Sequence, residues 1–250
     1  MSVAVLIPTY RRNEALADVI RSVLVQTRLP DEILVVDNDP KGGARETVEG
    51  LSLDAAAPIL YVHEPRPGVS NARNTGFART QARFIAQLDD DETADVNWLE
   101  TLLSARQTLD APVIFGPVIA QVSPNVRGQV RSAYMQRLYS RLGPSEDRVI
   151  EEPHGCGNAL FDREALTLPD PVFDLAANEI GGEDDLLFAR LKAGGAEEEG
   201  ETSDVPGVGG LKIDAVCGPK VGIKCGQTVI GGKMADEVVA KPLLAREARE

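Results

Sequence analysis

The sequence predicts an α/β protein with a mostly parallel sheet and helices on both faces. Three observations lead there. Short β-branched or apolar runs recur, at Val3 to Ile7, Glu32 to Val36, Ile59 to His63 and Phe84 to Leu88. Segments with helical periodicity separate them, which is the pattern of a parallel sheet with right-handed crossovers. Polar residues of chemical interest then fall at the carboxyl ends of the runs: Thr9 and Tyr10, Asp37, and the triplet Asp89, Asp90, Asp91. Ligands of such sheets bind at those ends.

Each element has its own signal. Pro8 closes the first strand. Asn13 is a plausible cap for a helix to about Thr27, with Leu16, Val19, Ile20, Val23 and Leu24 on one face. Pro30-Asp31 resets the chain before the second strand. A helix around Ala44 to Leu51 leads to the third strand. Ser70 or Asn71 opens a helix to about Gln81, before the fourth. The second half is less regular. Trp98 to Leu109 reads as a helix, Val113 to Ile119 as a strand, and Val126 to Arg141 as a helix rich in Arg and Tyr. A short strand spans Ala159 to Phe161, and Gly181-Gly182-Glu183-Asp184-Asp185 opens a helix to Lys192.

Composition excludes several classes. The net charge of −13 argues against non-specific nucleic-acid binding, which needs basic surface. Cys156, Cys217 and Cys225 form no CxxC pair, which suits a reducing, cytoplasmic setting. The N-terminal segment has no basic n-region, and no stretch approaches the length of an apolar membrane span.

The aspartate triplet carries the most chemistry. Three adjacent carboxylates repel, and desolvating them is costly without a cation. Their hard oxygens suit Mg²⁺ or Mn²⁺, with phosphate oxygens completing the shell. A solvated acidic turn is the plain alternative.

Six pieces in order, VAVLIPTYRRNEAL, EILVVDND, RPGVSNARNTGF, FIAQLDDDE, HGCGNALFDREAL and GGEDDLLFARL, resemble glycosyltransferase family 2, inverting enzymes with the Rossmann-like GT-A fold. The resemblance covers residues 1 to about 195. It implies a nucleotide-binding half over 1–95 and an acceptor-binding half over 96–195. By the same resemblance Pro8, Thr9 and Tyr10 line the nucleoside site, and Tyr10 stacks on the base. Asp37 accepts hydrogen bonds from the base, and Arg73 meets the nucleotide. Asp89 and Asp91 match the DXD-type motif, with Asp89 towards the ribose and Asp91 on a divalent metal, Mn²⁺ or Mg²⁺. Asp184 matches the general base. Gly155, Gly157, Asn158 and Glu183 fall on the sugar and acceptor side. The implied partners are a nucleotide-sugar donor, UDP-sugar first on family frequency, and a carbohydrate or lipid-linked acceptor. Work at the inner face of a membrane by peripheral association is implied as well.

Plainer roles stand beside these. Asp37 at a strand end also reads as a turn residue, and acids at 183 and 184 suit a helix N-terminus on dipole grounds alone. His154 reads as a loop histidine, and Cys156 as a small buried residue. Asp89, Asp91 and Thr93 also fit the DxDxT of a haloacid-dehalogenase-type phosphatase, but that motif follows the first core strand and here would follow the fourth. A nucleotidyltransferase would want glycines after strand one, where Thr9-Tyr10-Arg11-Arg12-Asn13 has none. A non-catalytic sugar-nucleotide-binding module remains as the third alternative.

The composition changes after Gly195. Residues 196–250 hold no Phe, Tyr, Trp or His and open on a Glu-rich run. This atypical tail is expected to be weakly packed or disordered. Leu211 to Val216 and Val221 to Cys225 are its candidate strands.

Overall fold

A computed structural model of the chain describes residues 1–122, 129–144, 147–150, 153–197, 213–215 and 223–225. Four parallel strands form the first half: β1 (Val3–Thr9), β2 (Glu32–Asp37), β3 (Ile59–His63) and β4 (Phe84–Leu88). Helices α1 (Asn13–Leu24), α2 (Arg45–Ser52) and α3 (Val69–Arg79) connect them. Then follow β5 (Glu92–Ala94), α4 (Trp98–Leu109), β6 (Val113–Phe115), β7 (Val118–Ala120), α5 (Gln129–Tyr139), β8 (Arg148–Ile150) and β9 (Asn158–Asp162). Short α6 (Ala177–Ile180), α7 (Glu183–Glu197), β10 (Ile213–Ala215) and β11 (Ile223–Cys225) complete the described elements.

The main sheet runs β3-β2-β1-β4-β9-β6-β10-β8, and a small one runs β5-β11-β7. Side-chain alternation explains why the main sheet is covered twice. Val3, Val5, Ile7, Ile33 and Val35 point to the face packed by α1 and α4, through Leu16, Ile20, Trp98 and Leu102. Leu6, Leu34, Val36 and Ile85 point to the other face, filled by Phe77, Phe115, Phe161, Phe173 and Phe188. A Cβ on Gly76 would run into the Leu6 side chain, so α3 sits closer to β1 than any larger residue would allow.

Two features of the topology position the site. The order reverses at β1, with β2 on one side and β4 on the other, which opens a crevice at their carboxyl ends. Strand β9 is antiparallel to β4, with Leu88 opposite Asn158. The loop before β9 therefore lands beside the aspartate triplet, though it lies far away in sequence.

The expected strand from Val113 to Ile119 is in fact two strands in different sheets. Gly116 and Pro117 break it: Pro117 has no N–H for a ladder, and its carbonyl accepts from the Asn158 amide. The Arg- and Tyr-rich helix starts at Gln129 and ends at Tyr139, and residues 126–128 lie outside those described. The last helix runs past Lys192 to Glu197. Most of residues 196–250 lie outside the described residues. The two segments described there are strands, β10 between β6 and β8 and β11 between β5 and β7, inside both candidate spans. Among the described residues no helix is long and apolar enough to cross a membrane.

The α3–β1 approach yields a test. Gly76→Val is expected to cost about 1–3 kcal/mol by overpacking the helix–sheet interface, read as a lower midpoint in urea unfolding. An unchanged midpoint would mean that α3 is not seated on Leu6.

Candidate functional site

The repulsion within the triplet is resolved by dividing it between two arginines. Asp90 turns inward. It accepts from Thr9 Oγ1 at 2.8 Å, the Tyr10 N–H at 3.3 Å and Arg12 Nη1 at 2.9 Å, which ties the end of β4 to the end of β1. Asp91 shares Arg12 Nη1 at 2.9 Å. Burial pushes the carboxyls of Asp90 and Asp91 up, against the pull of the Arg12 charge. Asp89 pairs instead with Arg73 Nη2, at 3.2 Å. The outer two carboxylates stay partly open, 39 % exposed at Asp89 and 22 % at Asp91, against 8 % at Asp90. Glu92, the next residue, is a buried acid whose carboxyl accepts from the Asp89 N–H at 3.3 Å. Burial, then the Asp89 charge, pushes it well above the carboxylate range.

Arg73 joins the two halves of the chain. It projects from α3 and is buried, with its guanidinium 5.5 Å from the Phe173 ring centre. Its Nη1 donates to Glu183 Oε1 at 2.8 Å and Asp184 Oδ1 at 2.6 Å. Burial alone would ease its proton off; the charges of Asp89 and Asp184 outweigh that and push its pKa above the ordinary arginine value. Asp184 is held from the other side too, where the Cys156 N–H donates to Oδ2 at 2.9 Å. Gly155 makes this possible: it takes φ +86° beside the Arg141 guanidinium and Asp184, where a side chain would be strained and crowded. Gly157 lies against Asp89, so close that a Cβ would stand 2.6 Å from Oδ2. A cleft of about 550 Å³ opens at Asp184, lined also by Glu183, Asp185, Arg141, His154 and Gly155. Burial, then the Arg141 charge, pushes the His154 imidazole down.

The structure brings Asp89, Asp91, Arg73, Gly155, Gly157, Glu183 and Asp184 to one crevice. Pro8, Thr9 and Tyr10 lie at its β1 edge, where Tyr10 is exposed with the Arg11 guanidinium 4.8 Å from its ring centre. Two candidates do not face it. Asn158 is buried below: its amide accepts from Trp98 Nε1 at 2.8 Å and donates to the Pro117 carbonyl at 3.0 Å. Asp37 is fully buried, with its oxygens taken by the Asp39 N–H at 3.0 Å, the Ala44 N–H at 2.8 Å and the Tyr61 hydroxyl at 2.9 Å. Those bonds fix the loop that carries Asp39 to Arg11 at the rim. Sequence reasoning missed Arg12, Glu92 and Arg141 as parts of the site. A signal for Arg12 was present, since three adjacent acids need cations and Arg11-Arg12 follows the neighbouring strand.

Comparison with known proteins decides the family. The sequence model described as Glycosyl transferase family 2 matches residues 4–168. The chain belongs to that family. It is 37 % identical over 190 residues to the succinoglycan biosynthesis protein ExoM of Rhizobium meliloti (strain 1021), covering 75 % of this chain and 60 % of that protein. It is 34 % identical over 102 residues to WfgD of Escherichia coli, named as a UDP-Glc:alpha-D-GlcNAc-diphosphoundecaprenol beta-1,3-glucosyltransferase. That match covers 41 % of this chain and 40 % of WfgD. The chain thus spans at most about three-fifths of these relatives. Among solved structures, that of S. aureus TarS 1–349 matches with a TM-score of 0.61 at 13 % identity, over 90 % of this chain and 60 % of that one. At that identity the likeness shows the fold, the mixed, mostly parallel sheet of a family 2 glycosyltransferase.

Tyr61 gives a test of the Asp37 turn. Burial, then its hydrogen bond to Asp37, pushes the phenol up from 10.0 to about 12. The folded value exceeds the unfolded one, so this contribution to stability is whole below about pH 10 and is lost as pH rises through about 12. An absorbance titration of the wild type minus Tyr61→Phe should show the missing phenolate step near pH 12. A missing step near pH 10 would mean that the bond to Asp37 is absent.

Proposed function

We propose that this chain transfers a sugar from a nucleoside-diphosphate sugar to a hydroxyl of a carbohydrate or lipid-linked acceptor, with inversion, in the building of a polysaccharide or glycolipid. UDP-sugar is the first candidate donor. One observation carries the reading. A single buried guanidinium, that of Arg73, holds a carboxylate from the triplet and the carboxylate that opens onto the cleft. Donor-side and acceptor-side acids thereby stand on either side of one fixed cation.

The geometry supports a role for each residue. Tyr10, exposed at the β1 edge, offers a face to the base, with Pro8 and Thr9 beneath it. Asp37 serves the nucleoside site indirectly, through the turn it holds. The resemblance gives the divalent cation to Asp91 and turns Asp89 to the ribose; both are partly open hard-oxygen donors at a strand end, and in this reading Asp89 joins Asp91 on the cation. Among the described residues no group of three ligands is assembled. Two carboxylates completed by diphosphate oxygens and water is the pattern that Mg²⁺ favours. When bound, Mn²⁺ or Mg²⁺ takes up charge on the departing diphosphate.

Asp184 accepts the proton of the acceptor hydroxyl. The freed oxygen bonds to the anomeric carbon from the face opposite the diphosphate, whose bond to that carbon breaks. Arg73 and the Cys156 N–H each hold one Asp184 oxygen, which fixes the direction in which the carboxylate presents its remaining lone pairs. Arg73 in this reading positions Asp184 and does not contact the base.

Calorimetry with UDP, GDP and dTDP, with Mn²⁺ and then with EDTA, should show metal-dependent binding, UDP foremost. Binding to none under any condition would reject the donor reading. Asp184→Asn should leave nucleotide affinity within a few-fold while transfer falls by on the order of 10²-fold or more. Unchanged transfer would remove Asp184 from the chemistry and favour a sugar-nucleotide-binding module. Arg73→Lys keeps a cation but loses the fork. Its kcat should fall while nucleotide affinity holds; the reverse would return Arg73 to the nucleotide.

A further inference from the structure

Helix α5 exposes what a helix beside a sheet ordinarily hides. None of its residues is buried. Val130, Tyr134 and Leu138 recur at i, i+4 and i+8 and are 85, 64 and 58 % exposed, so they form one stripe. Helical geometry places Arg131 and Arg137 on opposite flanks of that stripe. Half-buried Ser132 and Met135 mark the other side, and the helix packs on β7. Leu142, just beyond the helix, is exposed as well.

The charge of this segment opposes that of the chain. From Gln129 to Leu142 there are three arginines and no Asp or Glu, in a protein whose net charge is −13. An acidic protein is repelled by an anionic surface unless it presents a local basic face. This helix is such a face, with apolar side chains between its cations.

We propose that α5 is a docking surface for an anionic lipid bilayer, lying along the interface with its stripe among the headgroups. The residue types suit that partner. Tyrosine carries an apolar ring and a polar tip, and arginine can keep its charge at the surface while its stem lies on apolar groups. A stripe of a few side chains is small for a stable protein dimer, which buries roughly 1,200 Å² or more. On a bilayer, insertion of the stripe and attraction to the headgroups act together. Placement gives the surface a use. Arg141, two residues past the end of the helix, is bridged to Val118 of β7 and lines the cleft at Asp184. Contact at α5 would set the cleft beside the headgroups, where a lipid-linked acceptor presents its hydroxyl. That purpose rests on the proposed function; the docking itself is testable without donor or acceptor.

The full chain should sediment with vesicles rich in phosphatidylglycerol, weakly with phosphatidylcholine alone, and be released by high salt. The variants V130N/Y134N/L138N and R131Q/R137Q should each lower partitioning about tenfold or more with unchanged thermal melts. A fluorophore on Tyr134→Cys should shift to the blue on anionic vesicles, a reading that survives if the triple variant folds poorly. Failure to sediment, sedimentation indifferent to both variants, or an unshifted fluorophore would each overturn the proposal. A concentration-dependent dimer lost in the stripe variant would give the face to a second copy and overturn it as well.

Discussion

One buried cation organises this protein. Arg73 carries a full charge inside the fold, and a charge so placed is tolerated only with partners in contact. It has three: Asp89 from the end of β4, and Glu183 and Asp184 from the start of α7. The ion cluster therefore joins the first half of the chain to the second. It is also unbalanced. Asp89, Asp90, Asp91, Glu183 and Asp184 face two arginines, Arg73 and Arg12.

The sheet supplies the precision this cluster needs. Reversal of strand order at β1 opens the crevice, and the antiparallel pairing of β9 with β4 delivers the 154–157 loop into it. Small residues then let the parts close. Gly155 admits Arg141 and Asp184 from two sides, and Gly157 admits Asp89. Asn158 completes the join from below, through Trp98 of α4 and the Pro117 carbonyl.

The first half of the fold was legible in the sequence because its signals are local. β-Branched runs, helical periodicity and Pro30-Asp31 mark elements that pair with near neighbours. The second half was less legible because its pairings are long-range. Gly116-Pro117 marks a break between Val113 to Phe115 and Val118 to Ala120, but nothing local says that the two pieces join different sheets. The three-residue strands β5 and β8 are too short to carry a period. In the site, the sequence singled out Asp89, Asp91 and Asp184, and the fold brings all three to one crevice. Direction of side chains was not legible. Asp37 and Asp90 are buried in turns and strand ends while Asp89 and Asp91 open outward, and only the assembled loops decide which acid does which.

The long reach between β4 and β9 bears on how the chain is made. During synthesis β1 to β4 are complete once Leu88 has emerged, but the outer edge of β4 has no partner until Asn158 to Asp162 follow. Through that interval the nascent sheet presents an open edge of five apolar or amide residues, Phe84 to Leu88, the kind of edge that recruits another strand. Arg73 waits longer still, for the acids at 183 and 184. The half-made protein is thus a sheet with an open border, whose cation has Asp89 but not yet the two acids of α7.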